Sequence, residues 1–135
     1  MTSIYEMFAT DEQKEQEGIV HEITPEISFT LARAGGFNKR FSKALEKKTR
    51  PYRRQIQEDT MDVDLANKLF VEAFAETVLL GWKGVTDTEG KPVKFNAKNA
   101  VKLLTDLPDL ANELREVATK ASSFRNAEIK DDVGN

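Results

Sequence analysis

The chain has 135 residues, 39% of them hydrophobic and 32% charged, with a formal net charge of −3, no cysteine and one histidine, His21. That length suits one cored domain rather than two, and the absence of cysteine excludes disulfides, thiolate nucleophiles, iron–sulfur clusters and cysteine-type zinc sites. No apolar run nears the roughly 18 residues of a membrane span, and residues 1–10 carry Glu6 and no cation, unlike a secretory signal, so a cytoplasmic protein is expected.

Charge is distributed unevenly along the chain. Residues 1–26 hold seven acids against Lys14, residues 27–54 nine bases against Glu46, and residues 55–135 fifteen acids against ten bases. An acidic arm beside a basic segment suggests pairing within the chain or between copies of it. Residues 3–16 read as a helix, with Thr2 or Ser3 as cap, Ile4, Tyr5, Met7 and Phe8 clustered at its start and Gly18 as its stop. Residues 11–17 are polar throughout, so the apolar tip of this 1–17 arm either docks locally or reaches a neighbour. Ile4, Tyr5, Met7 and Phe8 are therefore the candidate self-association residues, and a homo-oligomer is expected.

Alternation across residues 19–24 and 26–32 predicts a β-hairpin turning at Thr24-Pro25-Glu26, with Ile19, His21 and Ile23 facing Ile27, Phe29 and Leu31. Gly35-Gly36 ends it, and Asn38 is placed to cap a helix from Lys39. On that helix Phe37, Phe41, Ala44, Leu45 and Tyr52 share one side; Lys39, Arg40, Lys43, Lys47, Arg50 and Arg54 fall within an arc of roughly 100° on the other. Pro51 clashes with a helical carbonyl four residues back, so a break is expected near Thr49 and Arg50.

Residues 62–80 predict the central helix, because Val63, Ala66, Leu69, Phe70, Ala73, Phe74, Val78 and Leu80 cover an arc of roughly 180°. Gly81 is its stop, and residues 82–95 read as an irregular or short hairpin segment around the turn Asp87-Thr88-Glu89-Gly90. Asn96 caps a short helix over 97–105, and Pro108 opens the last helix, striped by Leu110, Leu114, Val117, Ala118 and Ala121. The expected architecture is α+β and mostly helical: a small β-hairpin followed by a helical bundle around a central helix in residues 18–124, with a flexible tail over 125–135.

Catalytic groups are sparse. His21 sits in a strand without a nucleophile, the pair Asp62/Asp64 stands where N-terminal helix acids belong, and Glu72/Glu76 reads as solvated. The Asp87-to-Gly90 turn lacks a calcium-loop register, and Gly35-Gly36 lacks a phosphate-binding pattern. No enzyme, metal or cofactor is expected. The basic stripe of Lys39, Arg40, Lys43, Lys47, Arg50 and Arg54 is a candidate partner-binding surface; its aromatics lie on the opposite side, so an acidic protein explains it more economically than nucleic acid. Trp82, after a helix stop, is either the lid of the local core or an exposed partner anchor.

The stretch Val78-Leu79-Leu80-Gly81-Trp82-Lys83-Gly84-Val85, followed by Asp87, Gly90, Pro92, Phe95 and Asn99, resembles the tail assembly chaperones of long-tailed, siphovirus-type bacteriophages. The upstream run from Leu31 to Phe41, the segment Pro51-Tyr52-Arg53-Arg54 and residues 103–107 before Pro108 are similar to the same family, so the resemblance covers roughly residues 27–118. It implies a non-enzymatic protein in the cytoplasm of the infected host that binds the tape measure protein, helps deliver tail tube protein and leaves before the virion is complete. Members often occur as a short form and one extended by translational frameshifting; this chain is compatible with the short form. The alternative from the residues themselves is a small nucleic-acid-binding regulator using the basic helix.

Overall fold

Alternating apolar residues along Ile19–Thr24 (β1) and Ile27–Leu31 (β2) build the hairpin at the heart of a computed structural model that describes residues 3–125. Ile19 pairs with Leu31 and His21 with Phe29, the facing sets expected from the alternation. A bulge between Glu22 and Thr24 takes Ile23 out of step and leaves it 39% exposed.

The sheet gains a third antiparallel strand, β3 (Leu79–Lys83), in the order β1-β2-β3. This corrects the expectation of one helix over 62–80: the central helix, called α5 below, spans Val63–Thr77 and ends with the Val78 N–H donated to Phe74. An apolar run such as Val78-Leu79-Leu80 suits a buried helical turn or a buried strand equally. Pairing along β2, with Phe29 opposite Trp82, selects the strand.

Gly84, just past β3, has φ +78°, and a Cβ there would run into the backbone carbonyl of Glu26 in the β1–β2 turn. Gly84→Ala is therefore expected to lower stability by about 2 kcal/mol or more, from left-handed strain and a contact with backbone that cannot swing away. Gly81→Ala, with nothing within 4 Å of its Cβ position, should stay within about 0.5 kcal/mol of the parent. Equal melting midpoints for the two variants would contradict the packing of Gly84 on the turn.

The helices follow their local signals closely. α3 (Lys39–Thr49) stops at Pro51, where a 3-10 turn Arg50–Tyr52 leads into the short α4 (Arg53–Gln57). Asp62 caps α5 by accepting the Leu65 N–H, and Asn96 caps α6 (Ala97–Asp106) by accepting that of Asn99. Pro108 opens α7 (Pro108–Thr119), and a final 3-10 turn Ala121–Phe124 buries Phe124. The core joins Phe29 and Leu31 of the sheet to Val71, Phe74 and Val78, to Ala100 and Leu104 of α6, and to Leu114 and Ala118 of α7. Val63, assigned to the apolar arc, is instead 79% exposed, because the first turns of α5 extend past this core.

The N-terminal segment is two helices, not one: α1 (Ile4–Phe8), with a capping box between Ser3 and Glu6, and α2 (Glu12–Glu17), capped by Asp11. Between them Thr10 pairs with Arg125 and the Asp11 N–H bonds the Phe124 carbonyl. Residues 11–17 are polar throughout, yet Glu15 among them is fully buried. Residues 10–18 thus pack with the body, and only α1 keeps the exposed character of an arm. Of the expected tail, Arg125 is held by Thr10, and residues 126–135 lie outside the described residues.

Candidate partner-binding surface

α3 is amphipathic, and packing on α5 decides which side remains outside. Phe41 is buried with its ring edge-on to Phe70 at 5.6 Å, and Lys48 is clasped by Glu72 and Glu76 of α5 at 3.4 and 2.9 Å. The Glu76 carboxylate above all, opposed by desolvation and helped by Glu72, holds the Lys48 ammonium above the ordinary lysine value. Lys48 is therefore structural, and the Glu72/Glu76 pair, read as solvated, is its counter-charge.

The opposite side of α3 and α4 exposes Lys39, Arg40, Lys43, Lys47, Arg50, Arg53 and Arg54. Arg40 donates to the Gln16 carbonyl at 2.7 Å and to Asn38 Oδ1 at 3.0 Å. Arg50 and Arg54 meet Glu46 and Glu58 at 3.7 and 3.3 Å in solvent-exposed pairs, which contribute little to stability. Lys39, Lys43, Lys47 and Arg53 have no ion-pair partner among the described residues. All six sequence-predicted stripe residues are thus exposed, four of them on α3, with Arg50 in the 3-10 turn and Arg54 on α4. Arg53 joins them, and the Pro51 break hid it, because a helical projection carried straight through a proline misplaces the residues beyond the break.

Where the chain bends from α3 to α4, Glu46, Thr49, Arg50, Arg53, Ile56 and Gln57 line a shallow notch of about 110 Å³. Ile56 is 47% exposed within it. A lone apolar residue among Arg53, Arg54, Gln55 and Gln57 was the available sequence signal for this feature.

The N-terminal end of α3 is anchored by a buried carboxylate. Glu15 accepts hydrogen bonds from the Thr10 hydroxyl at 2.6 Å, the Arg33 guanidinium at 2.6 Å and the Phe37 N–H at 3.3 Å. Burial on its own raises a carboxyl's pKa; these three bonds and the Arg33 charge outweigh it and hold Glu15 below its ordinary value. Gly36 lies so close that a Cβ would meet the Glu15 carboxylate and Arg33, so the Gly35-Gly36 joint makes room for this ion pair. Asn38 does not cap α3. Its buried amide donates to the carbonyls of Arg33 and Thr77 instead, tying the joint to the end of α5.

Trp82 does not belong to the exposed face. Its indole packs edge-on between Phe29 and Phe95, with ring centroids 6.2 and 5.0 Å away, and its N–H is donated to the Val93 carbonyl at 2.9 Å. It is the lid of the sheet, the first of the two readings its sequence position allowed, and its place among the partner-binding residues gives way to a core role. The four arm residues stay largely outside, Ile4, Tyr5, Met7 and Phe8 being 62, 82, 45 and 61% exposed, with the Arg125 guanidinium 5.4 Å from the centre of the Phe8 ring. His21 bonds Glu113 of α7 at 3.0 Å. Among the described residues no three His, Asp or Glu side chains gather as a metal set, and no helix is long and apolar enough to cross a membrane.

No curated protein and no solved structure gives a significant match to the chain. A family model described as YdaY prophage protein matches residues 37–135, from the joint before the basic helix onward and so over more than half of the sequence. The chain is thereby placed among phage-derived proteins, as a member of the YdaY prophage protein family.

Proposed function

We propose that this prophage protein is a non-enzymatic tail assembly chaperone. It binds the tape measure protein in the cytoplasm of the infected host, keeps it soluble while the tail tube is assembled, and is absent from the finished virion. An extended form would carry the contact to the tail tube protein. The observation that carries this reading is the exposed basic face of α3, where Lys39, Lys43 and Lys47 have no ion-pair partner among the described residues, in a chain of phage origin. The aromatic residues Phe41 and Phe70 are turned into the helix–helix contact; Phe37, expected on that inner side, is instead 48% exposed just before α3, a single ring rather than the series of stacking residues a single-stranded nucleic acid uses, which favours an acidic protein partner.

Co-expression with the tape measure protein of the same prophage tests the reading. The parent should raise the soluble fraction of that protein, and Lys39→Glu, Lys43→Glu and Lys47→Glu combined should weaken the complex by about tenfold or more at low salt while helix content is unchanged. A parent that leaves the tape measure protein insoluble refutes the chaperone reading. Tight, salt-sensitive DNA binding by the parent that vanishes in the triple variant would instead assign the face to nucleic acid.

A further inference from the structure

Two exposed features of the molecule complement each other. α1 carries Ile4, Tyr5, Met7 and Phe8 within an arc of about 160°, with Glu6 on the far side, and none of the four apolar side chains is more than about half buried. The notch at the α3–α4 bend holds a half-exposed Ile56 between Arg50 and Arg53, with room for the end of one large side chain.

We propose that α1 of one copy of this chain seats in the α3–α4 notch of a second copy, head to tail. The arm's own copy is the wrong distance away. Thr10 is held by Glu15, whose other oxygen takes the Phe37 N–H at the start of α3, whereas the notch lies at the far end of that eleven-residue helix, about 16 Å along its axis. Ala9 alone joins α1 to Thr10, and the exposure of the four side chains shows that α1 does not lie in its own notch. Charge supports the pairing between copies. Glu6, Glu12 and Glu17 are exposed around the arm, and around the notch Lys47, Arg50, Arg53 and Arg54 outnumber Glu46 and Glu58, the partners of Arg50 and Arg54, so docking the apolar anchor brings opposite signs together at the rim. Each copy offers one arm and one notch, two different surfaces. The contact is therefore heterologous and propagates until it closes into a ring or continues as an open chain.

The proposal does not depend on tape measure binding, and it is tested on the full chain by light scattering at rising concentration. The parent should exceed the monomer mass. An arm variant, Ile4→Ser with Tyr5→Ser, and a notch variant, Arg53→Glu with Ile56→Asp, should each be monomeric with unchanged helix content, since all four positions are exposed. An equimolar mixture of the two should form two-chain complexes and nothing larger, because one partner supplies only a notch and the other only an arm. A monomeric parent, an assembly that persists in either variant, or a mixture that stays monomeric each overturns it. A parent that is monomeric alone but loses the tape measure protein in the notch variant gives the notch to that partner, and overturns it as well.

Discussion

Replacing Glu15 by Ala should lower the stability of this protein by about 3 kcal/mol, enough to move the melting midpoint by on the order of 10 °C. The carboxylate is fully buried, and its loss leaves the Thr10 hydroxyl, the Phe37 N–H and Arg33 without their acceptor in a space that Gly36 keeps open. Glu15→Gln keeps the shape and an acceptor, and should cost about 1–2 kcal/mol. The pH dependence separates charge from packing. Glu15 has a folded pKa below its ordinary value, so its ionic contribution is fully present above the unfolded pKa of about 4.3 and is lost as pH falls through the folded value. The stability gap between parent and Glu15→Gln should accordingly be constant from pH 7 to about 5 and shrink below about 4. A gap that stays constant down to pH 2.5 would mean the carboxylate acts as a spacer and not as a charge.

Phe74→Ala should be as severe, at about 3–5 kcal/mol. Its ring is 2% exposed and lies 5.8 Å from that of Phe70, in the core cluster and on the helix that packs against α3, α6 and β3. A void there has walls on several elements, and they cannot all collapse into it. Leu69→Ala should cost about 2–3 kcal/mol, since Leu69 is 8% exposed and outside the main cluster. Val63→Ala, on the same helix but 79% exposed, should change stability by less than about 0.5 kcal/mol. Urea titrations of the three variants decide this. A cost at Val63 comparable to that at Phe74 would show that the first turns of α5 are covered by something the isolated chain does not display.

The two residues illustrate how far the sequence could be read. Phe74 was legible because a helix repeats every 3.6 residues, and its neighbours Phe70, Ala73 and Val78 recur at that spacing. Glu15 was not. In the run Glu12-Gln13-Lys14-Glu15-Gln16-Glu17 nothing distinguishes one acid from another, and the buried one is set by Arg33 and Phe37, some twenty positions downstream, arriving at the same point in space.

Local chemistry in the sequence determined the hairpin and its facing residues, the helix ends at Asp62, Asn96 and Pro108, the break at Pro51 and the basic side of α3. Each depends on residues within a few positions of one another, where backbone geometry and side-chain period leave few choices. Tertiary contact alone decided the rest. Leu79 and Leu80 became a strand because β2 had an unpaired edge to offer them, and Trp82 became a lid because that pairing set it over Phe29. The N-terminal helix broke at Thr10 because Arg125 and Phe124 compete for its backbone. In all three cases the short segment has no strong preference of its own, and a partner distant in sequence supplies the hydrogen bonds or the apolar surface that tips the balance.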